Sequence, residues 1–279
     1  MKEDMLEKIV LETIDVPSIP PVAAKVLQLV NSDYTSINQL ENIISQDQSF
    51  STRLLKIANS PYYGRGRSID SIATAIIIIG FNSMKSLVTA ASLKDLHRKS
   101  GLFEQKHWEH SLGVSIAASL LATETHMLAP EEALIGGLIH DFGKIVMNNS
   151  LPDQYRSVID RINEENISTV VAEDEIFGFN HCNLGALIAR KWKLPANLEV
   201  VVEYHHAEHY PPFEDSGYET LCQVVQVADA MCLHLGIGMQ VAVDFSKIGF
   251  EQLGLTAEHF ETLLKKLKED YISQKGQLF

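Results

Sequence analysis

GGLIHDFGK, residues 136–144, opens as an apolar run with two glycines and then sets His140, Asp141 and Lys144 close together. A helix turns by about 100° per residue, so His140 and Lys144 would share a face with Asp141 beside them. The surrounding pattern calls for core at these positions. An imidazole, a carboxylate and an ammonium are each costly to bury without a partner. Another side chain or a metal ion can be that partner, and the rest of the chain has to decide between them.

Working outward, nearly every segment carries helical signals. Pro130 starts the helix that carries the opening stretch, and Pro152 starts another. Asn180 stands where it can cap a helix from His181 to Trp192. KLPANLEVVVEYHH reads as a shorter helix ending at His205 and His206, followed by the loop HAEHYPPFEDSGYE and a helix from Thr220 to Leu235. Upstream lies a long helix from about Gln105 to His126. Nearer the start, Pro20 and Pro21 open a helix, Ser36 with Gln39 makes a capping box, and Asp47 caps a third helix that closes in the turn NSPYYGRGR. Ser71 precedes IATAIIIIG, expected to be helical and buried on most sides, with a strand as the alternative for its β-branched run. A further helix is expected from Met84 to Leu96, and a last amphipathic one from Thr256. The expected fold is all-α, in two helical lobes joined near residue 100.

Composition narrows the function classes. With 279 residues and 46% hydrophobic content the chain can bury one large core or two smaller ones. No apolar run approaches the roughly 20 residues that span a bilayer, and the start MKEDMLEKIVLETID has no secretory h-region. Cys182, Cys222 and Cys232 form no CxxC pair, which points to core thiols in a reducing cytoplasm. The net charge of −13 is uneven. Residues 1–100 hold 11 Lys/Arg against 10 Asp/Glu, whereas residues 101–279 hold 12 against 26. Such a balance repels phosphate backbones and argues against nucleic-acid binding.

Of eleven histidines, His97, His107, His126, His209, His234 and His259 lie on polar stretches or alone in a pattern, which favours surface or satisfied core roles. His110, His140, His181, His205 and His206 stand differently, at helix ends or on apolar faces. Asp229 sits within the apolar VVQVADAMCL, where an unpaired carboxylate is expensive. Taken singly, each of these residues reads as a core polar group satisfied by backbone or water. As a set they suggest convergence on a metal site, and imidazole with carboxylate suits zinc, iron or manganese.

The order His110, His140-Asp141, Asp229 resembles that of the HD phosphohydrolase superfamily. The segments IPPVAAKVLQLVN, ISQDQSFSTRLLKIANSPYYG and AIIIIGFNSMKSLV, followed by FEQKHWEHSLGVS, GGLIHDFGK, GFNHCNLGALIARKWKLP and VVEYHH, resemble the HDOD family, the HD-related output domains. The likeness runs from about residue 17 to residue 235. It implies an all-α bacterial signalling module, with an N-terminal lobe at 1–100, an HD-like metal-site lobe at 101–240 and a helical extension at 241–279.

Similarity to the related HD-GYP phosphodiesterases implies a two-ion site for iron or manganese, with zinc or nickel as alternatives. On that similarity His110, His140, Asp141 and Asp229 bind one ion. His181, His205 and His206 bind the second, Asp141 bridges them, and Lys144 lies near the substrate phosphate. Two departures stand out. The paired histidines are followed by AEHYPPFEDSGYE rather than a Gly-Tyr-Pro loop, which argues against cyclic di-GMP as substrate. Lys106 stands in the helical turn before His110, where some relatives carry a glutamate for a third metal. Two functions remain open at this stage. One is a regulatory module that meets a signalling partner and uses its metal site structurally or as a sensor. The other is a metal-dependent phosphohydrolase acting on a nucleotide or other phosphoester, with Asp141 and Lys144 in catalytic roles. A helix-turn-helix across Ser36 to Asn59 offers only Arg53 and Lys56 to DNA, and packing is the better reading of it.

Overall fold

The computed structural model describes residues 10, 13–14, 21–30, 36–59, 68–80, 84, 88, 101–238 and 249–278. All regular elements among them are helical, and the protein is all-α. The chain divides into two compact units, Met1–Pro17 with Leu96–Leu267 and Ser18–Asp95 with Lys268–Phe279. Among the described residues no helix is long and apolar enough to cross a membrane. The expected turn NSPYYGRGR and the expected helix from Met84 to Leu96 fall almost wholly outside the described residues.

The smaller unit contains α1 (Pro21–Val30), α2 (Ile37–Ile44), α3 (Gln48–Ala58) and α4 (Ile72–Ile79). Its helix starts are fixed by short polar side chains. The Ser36 hydroxyl accepts the Gln39 N–H at 3.3 Å, and the Gln39 side chain accepts the Ser36 N–H at 2.8 Å. Asp47 accepts the Phe50 N–H and Ser71 the Thr74 N–H. Leu40 and Ile44 on α2, and Phe50, Leu54 and Ala58 on α3, recur at helical spacing and are buried. The run IATAIIIIG is helical rather than a strand. It buries Ile72, Ala75 and Ile76 but leaves Ile77 and Ile78 exposed, so it is buried on one face and not on most sides.

The larger unit is built on α5 (Leu102–Thr125), whose residues Ser111–Ala122 are almost all buried. Around it stand α6 (Pro130–Ile139), α7 (Phe142–Ser150), α8 (Pro152–Glu165), α9 (Thr169–Phe177), α10 (His181–Lys191), α11 (Ala196–Tyr204) and α12 (Gly217–His234). A 3-10 turn, Phe250–Leu253, and the part of α13 (Ala257–Leu278) up to Leu267 follow. α5 packs against α6 and α12, and α10 against α7 and α11. Cys182, Cys222 and Cys232 are buried free thiols.

Two glycines of the opening stretch allow the close approaches that this packing needs. A Cβ on Gly137 would lie 2.7 Å from the Val114 carbonyl of α5, and one on Gly143 would meet the His181 carbonyl of α10. The stretch itself is not one helix. α6 ends at Ile139, His140 and Asp141 form a corner, and α7 begins at Phe142. The expectation that one helix carries His140, Asp141 and Lys144 is therefore corrected. Asp141 sits at the start of a new helix, where the Lys144 N–H returns to its carbonyl at 3.0 Å.

Candidate metal centre

Asp141 lies at the middle of the larger unit and is 1% exposed. Its two carboxylate oxygens face different neighbours. Oδ1 is 3.2 Å from His181 Nε2 and 3.3 Å from His205 Nε2. Oδ2 is 3.3 Å from His140 Nε2, 3.9 Å from His110 Nε2 and 2.5 Å from the Lys144 ammonium. His110 Nε2 also stands 2.9 Å from Asp229 Oδ1, so the Asp229 carboxylate is paired rather than stranded in its apolar helix. His206 joins the Oδ1 side, its ring 4.2 Å from that of His205 and 5.2 Å from that of His181. All seven side chains singled out in the sequence, and Lys144, meet here.

Local structure aims each ring. Asn180 caps α10 by accepting the Cys182 and Asn183 N–H groups, which fixes His181 as the first helical residue. His205 closes α11. In four of the histidines Nδ1 is already engaged on the far side of the ring. His140 meets the Gly137 carbonyl at 2.7 Å, His205 the Val201 carbonyl at 3.0 Å, His110 the Ile237 carbonyl at 3.3 Å, and His181 the Glu173 carboxylate at 2.6 Å. A carbonyl can only accept, so in His140 and His205 the proton of the neutral ring sits on Nδ1 and the Nε2 lone pair is turned toward Asp141.

Lone pairs facing a carboxylate repel it unless a cation lies between them. His140 Nε2, His206 Nε2 and Asp141 Oδ1 are buried with no hydrogen-bond partner. Two groups of ligand atoms lie close enough to share an ion, Asp141 with His181, His205 and His206, and Asp141 with His110 and His140. The donor set therefore fits a metal ion, and the cluster can hold one.

Protonation differs across the site. Burial would raise the Asp141 carboxyl, but the adjoining His140 ring and Lys144 ammonium hold it well below the usual carboxylate range. Asp229 is likewise lowered, burial being outweighed by its bond to His110. Burial, helped by neighbouring imidazoles, pushes His205 down to about 4 and His206 well below its ordinary value. Both are neutral, ligand-ready rings at physiological pH. Lys144 goes the other way, its burial outweighed by the Asp141 and Asp229 carboxylates.

Sequence reasoning missed the residues behind this cluster. Glu173, fully buried on α9, accepts the His181 Nδ1–H, the His181 backbone N–H at 2.8 Å and the Tyr155 hydroxyl at 2.8 Å. His107 is buried too, and its Nε2–H donates to the Asp141 carbonyl at 3.0 Å. Glu173 gave little signal, because it lies in the acidic run Glu173-Asp174-Glu175 on a helix that the sequence reading did not separate from its neighbour.

Lys144, His206, Asp229 and His110 form the floor of a cavity of about 290 Å³ that continues upward between α5, α8, α9 and α12. The model of the HDOD domain matches residues 16–208, more than half of the chain. The chain belongs to the HDOD family. An HDOD domain protein of unknown function from Geobacter sulfurreducens has the same fold, at 23% identity over 99% of this chain and 96% of that one, with a TM-score of 0.77. A Shewanella amazonensis protein described as a candidate metal-dependent phosphohydrolase matches over the full length of both chains, at 20% identity and a TM-score of 0.70. A Marinobacter aquaeolei protein described as a candidate signal-transduction protein matches at 18% identity over 99% of this chain and 61% of that one, with a TM-score of 0.71. The HDOD chain spans less than half the length of the curated relatives it matches.

Proposed function

We propose that this HDOD chain is a cytoplasmic bacterial signalling module that retains a working dinuclear HD-type centre and hydrolyses a small phosphoester there. The observation that carries the reading is the two-sided Asp141 carboxylate, with tethered imidazoles turning Nε2 toward each of its oxygens. On this reading His110, His140, Asp141 and Asp229 hold one divalent ion. His181, His205 and His206 hold the second, with Asp141 shared. The nitrogen and oxygen donors suit iron or manganese, and zinc or nickel are compatible. Such ions, when bound, lower the pKa of a water toward neutrality and offset charge on a phosphoryl group. The protein's own part is to exclude bulk water from the buried floor and to aim Asp141. Lys144, which reaches both Asp141 and the cavity, would offset charge on a phosphoryl oxygen. Water oxygen would bond to phosphorus as the ester P–O bond breaks, and the alcohol would leave with a proton.

A purely regulatory reading keeps the metal and drops the hydrolysis. It is supported by the family and by the relative described as a signal-transduction protein. Under it the site would answer to a ligand and pass the change to a protein partner.

The test is metal analysis of protein purified without chelator and reconstituted with iron or manganese, followed by a screen of phosphomonoesters, nucleotides and cyclic dinucleotides. About two ions per chain and turnover of at least one ester are expected. Lys144→Met should keep the metal and slow turnover by about 10²-fold, the size of one lost preorganised contact. Failure to bind any of these metals rejects both readings. Full metal content without turnover leaves only the regulatory one.

A further inference from the structure

The cavity above the metal centre has a composition that its floor does not explain. Tyr155, Ile159 and Ile162 recur at i, i+4 and i+7 and line it along one face of α8. Phe103 lies one turn before His107 on α5, and Leu233 one turn after Asp229 on α12. Phe103, Ile159, Ile162 and Leu233 are only half-buried, whereas His110, Asp141 and Asp229 below them are buried. Tyr155 turns its hydroxyl away to Glu173 at 2.8 Å, which leaves its ring to the cavity. No Asn, Gln or Arg is among the lining residues, and Ser168 and Thr169 at the start of α9 are the upper wall's short polar side chains, so it lacks the amide and guanidinium groups that read a nucleobase edge in bidentate fashion. The volume of about 290 Å³ stands at the lower end of the roughly 300–1,000 Å³ typical of small-molecule sites.

Charge sets the orientation. Asp141 and Asp229 against Lys144 leave the bare floor with an excess of negative charge, so an anion is held there only once cations are bound. Resting on the phosphoester reading above, we propose that the ligand is a phosphomonoester of a compact apolar alcohol or phenol. Its phosphoryl group lies toward Lys144 and His206, and its apolar group lies against Phe103, Ile159, Ile162 and Leu233. A cyclic dinucleotide, with two nucleosides and many hydrogen-bonding edges, matches neither the volume nor the wall.

Calorimetric titration of the manganese-loaded full chain tests this without turnover. The probes are orthophosphate, phenylphosphonate, 2-hydroxyethylphosphonate and cyclic di-GMP, the first three without any ester bond to be cleaved and the last checked for intact nucleotide after each titration. Orthophosphate is expected to bind. Phenylphosphonate is expected to bind about tenfold or more tighter than 2-hydroxyethylphosphonate, the gain of burying one aromatic group. Ile162→Gln should bring that ratio toward one, and chelated protein should bind none of the probes. Equal affinities for the two phosphonates, or cyclic di-GMP as the tightest ligand, would overturn the proposal and leave the phosphoester reading standing. Loss of orthophosphate binding itself by the metal-loaded protein would overturn both. Should Ile162→Gln not fold, the two phosphonates on the wild-type chain still decide.

Discussion

In α2 the two buried positions are Leu40 and Ile44, and in α3 the buried positions among the described side chains are Phe50, Leu54 and Ala58. In α5 the buried positions include His107, His110, Ser111 and Ser115 among leucine and alanine, and the corner after α6 buries His140 and Asp141 at 1% exposure or less. The smaller unit's core follows the ordinary rule that apolar groups leave water at about 25 cal/mol per Å². The larger unit places ionisable groups at its centre, where each is costly without a compensating partner. Much of that compensation is visible: backbone carbonyls on three Nδ1 atoms, Glu173 on a fourth, Lys144 on Asp141, and His110 on Asp229. The atoms left over, His140 Nε2, His206 Nε2 and Asp141 Oδ1, face the middle of the cluster. A core that is polar and incomplete on its inner side is organised around something it binds, and one whose described buried positions are apolar is organised around its own packing.

The largest effect that would break this contrast is expected at Asp141. Asp141→Ala removes the carboxylate shared by both halves of the cluster and leaves the Lys144 ammonium, 14% exposed, without its nearest counter-charge. Breaking a buried pair from one side costs about 3–5 kcal/mol. Urea unfolding of the metal-free chains should show that loss, and elemental analysis of the reconstituted variant should find the centre empty. A variant that takes up metal like the wild type would show that Asp141 is not the shared ligand. The larger core would then be an ordinary polar network.

Glu173 sharpens the comparison at a smaller scale. Its carboxylate accepts from three donors at once, the His181 ring, the His181 backbone and Tyr155. Glu173→Gln keeps the size but turns an N–H₂ toward at least one of those donors, leaving it unsatisfied at a cost of about 1–3 kcal/mol. Weakened support for a ligating ring lowers metal affinity by about 10–100-fold. Competition with a chromogenic chelator would measure it. Unchanged affinity together with lowered stability would make Glu173 a packing residue only.

The helical fold was legible because periodicity and caps are local. Ser36 with Gln39, Asp47, Ser71 and Asn180 each announce a helix start within four residues, and each does cap one. The seven ligand-type residues were legible for a different reason, since ionisable groups on apolar faces violate the pattern and so stand out from it. What the pattern could not reveal depends on distance or on backbone breaks. The corner at His140-Asp141 has no proline to mark it, and Asp141 stands at the N-cap of α7 without a side-chain capping bond, while close glycine contacts with α5 and α10 accompany the change of direction. Glu173 looks like any acid on an amphipathic helix until α9 folds against His181. The apolar upper wall of Phe103, Ile159, Ile162 and Leu233 comes from three separate helices, and each of its residues reads as ordinary core in its own segment.

The smallest effects come from a matched pair of caps, one in each unit, where the chemistry is the same and only the surroundings differ. Ser36 accepts the Gln39 N–H at the start of α2, and Asn180 accepts the Cys182 and Asn183 N–H groups at the start of α10. Each of Ser36→Ala and Asn180→Ala forfeits a cap worth about 0.5–2 kcal/mol, and denaturant unfolding should place both in that range. Their metal titrations should part. Asn180 precedes His181, the first residue of α10, so a frayed first turn lets that ring leave Asp141, and affinity should fall with stability. Ser36 lies in the unit that holds none of the seven ligand-type side chains, so its loss should leave the metal titration where it was. Equal losses of metal affinity in the two variants would mean that the smaller unit supports the centre, and the division drawn between a self-contained apolar core and a metal-organised one would fail. A normal metal titration for Asn180→Ala would instead show that Glu173 and Asp141 hold His181 in place without its helix cap.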